Sequence, residues 1–277
     1  MRFSNSMKTV FGPYAVLASA LLLSACVTAA PTTGLNIEPE QGSAGNIASL
    51  TQVVRANPRD PNAYNVRGSA YGRAGQNSQA LRDFDTAINL DRNFVAAYAN
   101  RGIILTRTGA FARAIADYNT ALRINPNYTD AYVGRGDVYR RAGRPQQALT
   151  DYNRAISLGT SDPRAYHNRG LLLQKARRHD QAIEDFSKAI SLQDGRAQPY
   201  NARGLSYLAT NRIDNALDDF NNALKLNPKY AEAWVNQGLV FEQRGDKKRA
   251  FRSYTRARSL DPSYGPAQDG MSRTRTS

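Results

Sequence analysis

Small and apolar residues recur along residues 61–264 with two superposed periods. Over short stretches they fall three or four residues apart, the spacing that places side chains on one face of an α-helix. Over longer stretches the whole pattern returns every 34 residues: Gly68, Gly102, Gly136, Gly170, Gly204 and Gly238 form one column. Alanine stands twelve residues after each glycine (Ala80, Ala114, Ala148, Ala182, Ala216, Ala250) and again at nineteen (Ala87, Ala121, Ala155, Ala189, Ala223, Ala257). An aromatic lies four before it, from Tyr64 to Trp234, and another sixteen after it, from Phe84 to Tyr254. Small residues at these columns let two helices approach closely, and the aromatics fill the space beside them. Breaks fall at Gly75, Gly109, Gly143 and Gly245, suited to a left-handed helix end, and at pairs such as Asn125-Pro126 and Asn227-Pro228. Each unit therefore reads as a hairpin of two short helices, and six such units predict an elongated array without a central buried site.

Aromatic, glycine, alanine, aromatic, alanine and proline at fixed offsets within 34 residues resemble the tetratricopeptide-repeat (TPR) family. In the family's register the units are 61–94, 95–128, 129–162, 163–196, 197–230 and 231–264, which is 204 of 277 residues. The resemblance implies an all-α superhelical solenoid of six helical hairpins. Ile47, Leu50, Val53, Val54 and the Asn57-Pro58 stop match the second helix of a preceding unit, so residues 47–60 read as a half-repeat and the expected total is thirteen principal helices. At the far end the apolar column of Ile88, Leu122, Ile156, Ile190 and Leu224 changes to Arg258, giving the last unit a wettable face. The tail 265–277 is expected to fray beyond at most one helical turn.

Two departures from the family pattern carry information. Arg67, Arg101, Arg135, Arg169 and Arg203 replace the leucine before the glycine, and Asp83, Asp117, Asp151, Asp185 and Asp219 stand sixteen residues after each arginine. In the sixth unit both change together, to Gln237 and Ser253. A charged ladder that binds a ligand is one reading. An ion pair within each hairpin is the other, and the joint loss favours it. The turn glycine is also replaced, by Arg177 in the fourth unit and Asn211 in the fifth. Asparagine tolerates a left-handed turn and arginine does so poorly, so the fourth hairpin is expected to turn differently.

Upstream of the array, Arg2 and Lys8 precede an apolar stretch, Val10 to Leu23, that is too short to span a membrane comfortably. It ends in Leu23-Ser24-Ala25-Cys26, which resembles the lipobox of bacterial lipoproteins. The resemblance implies a signal peptide over 1–25 and acylation of Cys26, the chain's one cysteine. Each buried methylene contributes about 0.8 kcal/mol, so several acyl chains on one residue anchor the protein almost permanently in a bilayer. Residues 26–46 then read as the lipidated cysteine and a flexible tether, with a root-mean-square reach on the order of 25 Å. By resemblance to enterobacterial sorting, Val27 points to the outer membrane, periplasmic face, over the inner one.

Net charge narrows the partners. The chain carries +14, and losing Arg2 and Lys8 with the signal leaves 35 − 23 = +12. Such a surface favours acidic proteins or peptides, anionic lipid headgroups or lipopolysaccharide; export argues against nucleic acid. Enzyme signatures are missing: the sequence has no phosphate-binding glycine loop and no His-Glu-x-x-His. A single cysteine and two histidines, His167 and His179 in one unit, point to no metal, no cofactor and no catalytic residue.

Function is therefore expected in the concave groove that, by the resemblance, the first helix of every unit lines. Position 13 of the units reads Arg73, Arg107, Arg141, Lys175, Ala209, Gln243. Four successive cations on one wall suit an acidic or carboxylate-bearing segment, although a cation there also complements a helix C-terminus. Position 6 supplies Asn100, Asn168 and Asn236, able to hydrogen-bond an extended backbone, with His167 beside Asn168. The clamp of chaperone-binding TPR domains is incomplete, because the third unit has Asp130 and Gly134 at its positions 2 and 6. Lipid anchor plus repeat array resembles the NlpI type of lipoprotein, which recruits peptidoglycan hydrolases and a protease to the outer membrane. The expected function is a membrane-anchored periplasmic adaptor. A pilotin-like assembly factor for a secretin or pilus machine is an alternative that needs an apolar groove. A charge-based tether to peptidoglycan or lipopolysaccharide is another.

Overall fold

A computed structural model describes residues 39–275. Among them a 3₁₀ turn, Pro39–Gly42, and helix α1, Ala44–Ala56, precede six hairpins. These are α2 Pro61–Arg73 with α3 Asn77–Leu90, α4 Val95–Arg107 with α5 Phe111–Ile124, and α6 Thr129–Arg141 with α7 Pro145–Ser157. They continue with α8 Pro163–Lys175 and α9 His179–Leu192, α10 Ala197–Ala209 and α11 Ile213–Leu226, and α12 Ala231–Gln243 and α13 Lys247–Leu260. A further helix, α14 Gly265–Thr274, follows. No strand occurs among the described residues. The signal segment and Cys26 lie outside them.

Local chemistry accounts for the helix ends. Asp60 and Asp162 cap α2 and α8 through their carboxylates, each followed by proline at the first helical position. Each hairpin turns through one left-handed residue: Gly75, Gly109, Gly143 and Gly245 have φ between +71° and +80°. Arg177 takes the same conformation at φ 60°, and so does Asn211 at 59°. Arg178 N–H then reaches Leu173 O at 2.9 Å and Arg177 N–H reaches Gln174 O at 2.9 Å, the bonding that Gln76 and Gly75 make in the first hairpin. The fourth hairpin thus turns like the others, contrary to the sequence expectation. Tertiary packing overrides a conformational cost of about 1–2 kcal/mol for a non-glycine residue there.

The glycine column exists because of the second aromatic column. A Cβ at Gly68, Gly102, Gly136, Gly170, Gly204 or Gly238 would come within 2.6–2.8 Å of the ring of Phe84, Tyr118, Tyr152, Phe186, Phe220 or Tyr254. Both alanine columns are fully buried beside those rings. The charged columns tie the same hairpins: Arg67, Arg101, Arg135, Arg169 and Arg203 each grip Asp83, Asp117, Asp151, Asp185 and Asp219 with two hydrogen bonds of 2.7–2.8 Å. Ser253 and Gln237 replace the pair with a neutral bond of 2.7 Å. Each later arginine also reaches the preceding unit, at Asp85, Asn119, Asn153 or Ser187.

The far end differs from expectation. Residues 265–274 do not fray. They form α14, which packs on α12 and α13 with Ala267, Gly270 and Thr274 buried. A Cβ at Gly270 would meet the Tyr254 ring at 2.5 Å, as one at Gly134 would meet Tyr118. Gly270 and Gly134 hold the same place in the 34-residue register, so α14 is the first helix of an incomplete seventh unit. At the near end α1 begins at Ala44, three residues before the expected half-repeat, capped by Ser43. The 3₁₀ turn lies against the end of α2, where a Cβ on Gly42 would meet Ala74 N at 2.9 Å.

Candidate partner-binding groove

Curvature follows from which helices touch. Each first helix (α2, α4, α6, α8, α10, α12, α14) contacts the next first helix, whereas no second helix contacts the next second helix among the described residues. The first-helix row is therefore the closer-packed, inner side of the array, and its free faces line a groove.

The basic column stands at one edge of this wall. Arg107, Arg141 and Lys175 are exposed. The Arg107 guanidinium donates to Gly72 O and that of Arg141 donates to Thr106 O at 3.3 Å, in each case a carbonyl at the end of the preceding first helix. Both therefore complement a helix C-terminus, yet a guanidinium carries five donors and most of each remains open. Arg73 is different. It is half-buried and its Nε has no partner, while burial lowers its pKa. The asparagines are engaged within the wall: Asn100 donates to Asn65 Oδ1 at 2.9 Å, Asn168 to Asp137 Oδ1 at 2.6 Å and Asn236 to Asn201 Oδ1 at 2.8 Å. These amides fasten one first helix to the preceding one.

Polarity concentrates where α6 meets α8. Asp137 accepts from Tyr152 Oη at 2.7 Å and from Asn168, and lies 3.5 Å from Arg164. Arg164 is also held at 2.6 Å by Asp162, the capping residue of its own helix. Burial pushes the Asp137 carboxyl up in pKa. Burial, with the charge of Asp162 second, raises Asp130 to about 6. His167 packs its ring 5.6 Å from that of Phe186. Burial, then the positive charges of Arg196 and Arg140, lowers its pKa to about 4, so the imidazole is neutral at pH 7.

Two cavities open on this region. The larger, about 380 Å³, is lined by Arg140, Arg141, Arg164, His167, Asn168, Gln193, Arg196 and Gln198 among others. The smaller, about 200 Å³, is lined by Thr106, Arg107, Tyr118, Asp137 and the same Arg140, Arg141 and Arg164. Three buried polar atoms of the larger one have no hydrogen-bond partner: Arg140 Nε, His167 Nδ1 and Gln193 Oε1. The sequence columns identified His167, Asn168 and Arg141 here but not Arg140, Gln193 or Arg196. Gln193 and Arg196 sit in the link between α9 and α10, off the first-helix positions, where no column could point to them. No group of three His, Cys, Asp or Glu residues suits a metal ion among the described residues. No described helix is long and apolar enough to cross a membrane.

Comparison with known proteins matches this architecture. A tetratricopeptide-repeat profile fits residues 65–129 and 201–264. A TPR-repeat profile fits 136–176 and another tetratricopeptide-repeat profile fits 163–195. The chain is 32% identical over 60 residues to Hsp70-Hsp90 organizing protein 2 of Arabidopsis thaliana, which is 22% of this chain and only 10% of that protein. The structure of the APC/C hetero-tetramer Cut9-Hcn1 is similar at a TM-score of 0.73 and 20% identity, over 86% of this chain and 47% of that one. Pseudomonas aeruginosa pilF is similar at 0.71 and 17%, over 77% of this chain and 97% of that one. The chain thus spans a tenth of the curated relative and about half of the Cut9-Hcn1 chain.

Proposed function

The chain belongs to the tetratricopeptide-repeat family, a scaffold for protein–protein interaction, and on that premise we propose that it is a lipid-anchored adaptor of the bacterial envelope. It docks extended acidic segments of envelope proteins, peptidoglycan-remodelling enzymes among the candidates, in its concave groove. It performs no chemistry of its own on them. The observation that carries this reading is the row of exposed cations, Arg107, Arg141 and Lys175, the first two of which line neighbouring cavities that share Arg140, Arg141 and Arg164 and whose walls are mostly arginine and polar side chains. Such a lining suits an acidic segment better than the apolar one that a pilotin-like role requires.

The anchor rests on Leu23-Ser24-Ala25-Cys26, and by resemblance to enterobacterial sorting Val27 favours the outer membrane over the inner one. Two experiments separate the parts. In the native bacterium, Cys26→Ala should abolish radiolabelled palmitate incorporation and shift the protein out of the membrane fraction; unchanged labelling would remove the anchor. Arg107→Glu with Arg141→Glu should reduce recovery of acidic envelope proteins in cross-linked pull-downs at least severalfold, with unchanged helical content. Equal recovery would remove the groove as the docking wall.

A further inference from the structure

We propose that the larger groove cavity is an anchor pocket for one acidic side chain, Asp or Glu, inside a partner's extended segment, bound together with the backbone N–H beside it. The proposal deepens the docking function and rests on it. The three unpartnered atoms are closed to solvent in this structure and become reachable when their side chains turn into the cavity; their bonding roles then fix the chemistry of the occupant. Arg140 Nε–H can only donate and Gln193 Oε1 can only accept, while Nδ1 of a neutral His167 takes whichever role its tautomer allows. A simple anion offers acceptors alone and leaves Gln193 unsatisfied. An acidic residue within a peptide offers both, with carboxylate oxygens for Arg140 and His167 and a main-chain N–H for Gln193.

Charge agrees with geometry. Arg164 is neutralised by Asp137 and Asp162. Arg140, Arg141 and Arg196 line the same cavity and have no carboxylate within ion-pair distance among the described residues. The nearby Asp137 bonds Tyr152, Asn168 and Arg164 and makes no ion pair with Arg140, although the positive charge of Arg140 acts on it. At about 380 Å³ the cavity lies at the small end of ligand pockets, roughly 300–1,000 Å³, enough for one side chain and its adjoining backbone. Arg140, Arg141 and Arg164 also line the neighbouring cavity. A bound chain therefore has room to continue along the groove, which favours an interior residue over a chain terminus.

Full-length protein is titrated with acetyl-Ala-Glu-Ala-amide, its Gln counterpart, and acetyl-Ala-Ala-Ala with a free terminal carboxylate. Imidazole resonances are followed, with His179 as the internal control. The Glu peptide should shift His167 and not His179, and should bind about tenfold more tightly than either of the others. Gln193→Ala and Arg140→Gln should each weaken the Glu peptide about tenfold with unchanged circular dichroism. Equal or stronger response to the Gln or the free-carboxylate peptide overturns the assignment, as does full binding by both variants. Partner capture that depends on Arg107 and Arg141 without any response at His167 overturns the anchor and leaves docking intact. A His167 response in a protein whose partner capture ignores the charge reversal keeps the pocket and removes the docking wall.

Discussion

Single positions in this array are explained by what they touch in the next helix or the next unit. The Arg–Asp column shows this most plainly. Asp151 is almost fully buried, with Arg135 wrapped around it and stacked over Tyr132 and Tyr139. Removing one partner leaves a buried charge unpaired, whereas exchanging both does not. Asp151→Ser alone should therefore cost about 3 kcal/mol. Arg135→Gln with Asp151→Ser should recover much of that by forming the bond already present between Gln237 and Ser253. Thermal melts of the single and double variants check it; a double variant less stable than Asp151→Ser would refute the argument. The second aromatic column follows similar logic. Where it is tyrosine the hydroxyl crosses to the inner wall, bonding Asp137 from Tyr152 and Glu242 from Tyr254, each at 2.7 Å.

Two titrating groups of the groove set opposite pH slopes. Asp130 is raised from 3.8 to about 6, so the folded state holds its proton more tightly than the unfolded chain. Its contribution is present in full below about pH 4 and is lost as pH rises through 6. His167 is lowered from 6.5 to about 4, so its contribution is present above pH 6.5 and lost as pH falls through 4. Between pH 4 and 6 the two partly cancel. Asp130→Asn should make stability rise more steeply with pH in that window, and His167→Gln less steeply. Urea midpoints at several pH values read both; parallel curves for the two variants would show that neither carboxyl nor imidazole is perturbed as described.

At the scale of helices and turns, the hairpins were legible in the sequence because the packing that builds them is repeated. Gly68, and an aromatic at the place of Phe84, recur five more times in register, and a column of contacts leaves a column of residues. What has no repeat stayed hidden. Helix α14 carries Ala267 and Gly270 in register, but Gln268 and Ser272 stand where the aromatic and glycine columns would be, so the helix was not evident. Arg177 misled for the opposite reason. Its intrinsic preference disfavours the left-handed region, yet helices packed on both sides of the turn hold it at φ 60°. Arg177→Gly should then stabilise the protein by about 0.5–1 kcal/mol, the released strain outweighing the added chain entropy. Arg177→Val should destabilise it. A glycine variant that melts below the parent would mean that the arginine side chain makes a compensating contact.

For the whole molecule, the question is whether charge acts locally in the groove or diffusely over a basic surface. A net charge of +14 attracts anionic surfaces regardless of shape, and a charge-based tether would need nothing more. The groove makes a sharper demand, because Arg107 and Arg141 stand at consecutive units on the inner wall and open onto the cavities there. Reversing both changes the net charge by four, and so does reversing two exposed cations far from the groove, Arg92 and Arg256. A diffuse attraction responds alike to the two double variants. Docking responds to the first alone, with at least a tenfold weaker affinity for an acidic partner segment, and its dependence on salt should become shallower as well. Partly exposed pairs are screened within about 8–10 Å at physiological ionic strength, so fewer pairs leave less for salt to remove. Each reversed arginine also places an anion at a helix C-terminus, at roughly 0.3–1 kcal/mol, a small loss that melting curves distinguish from unfolding. Should both double variants lose affinity and salt dependence equally, the basic surface as a whole binds and the inner wall has no special part in it.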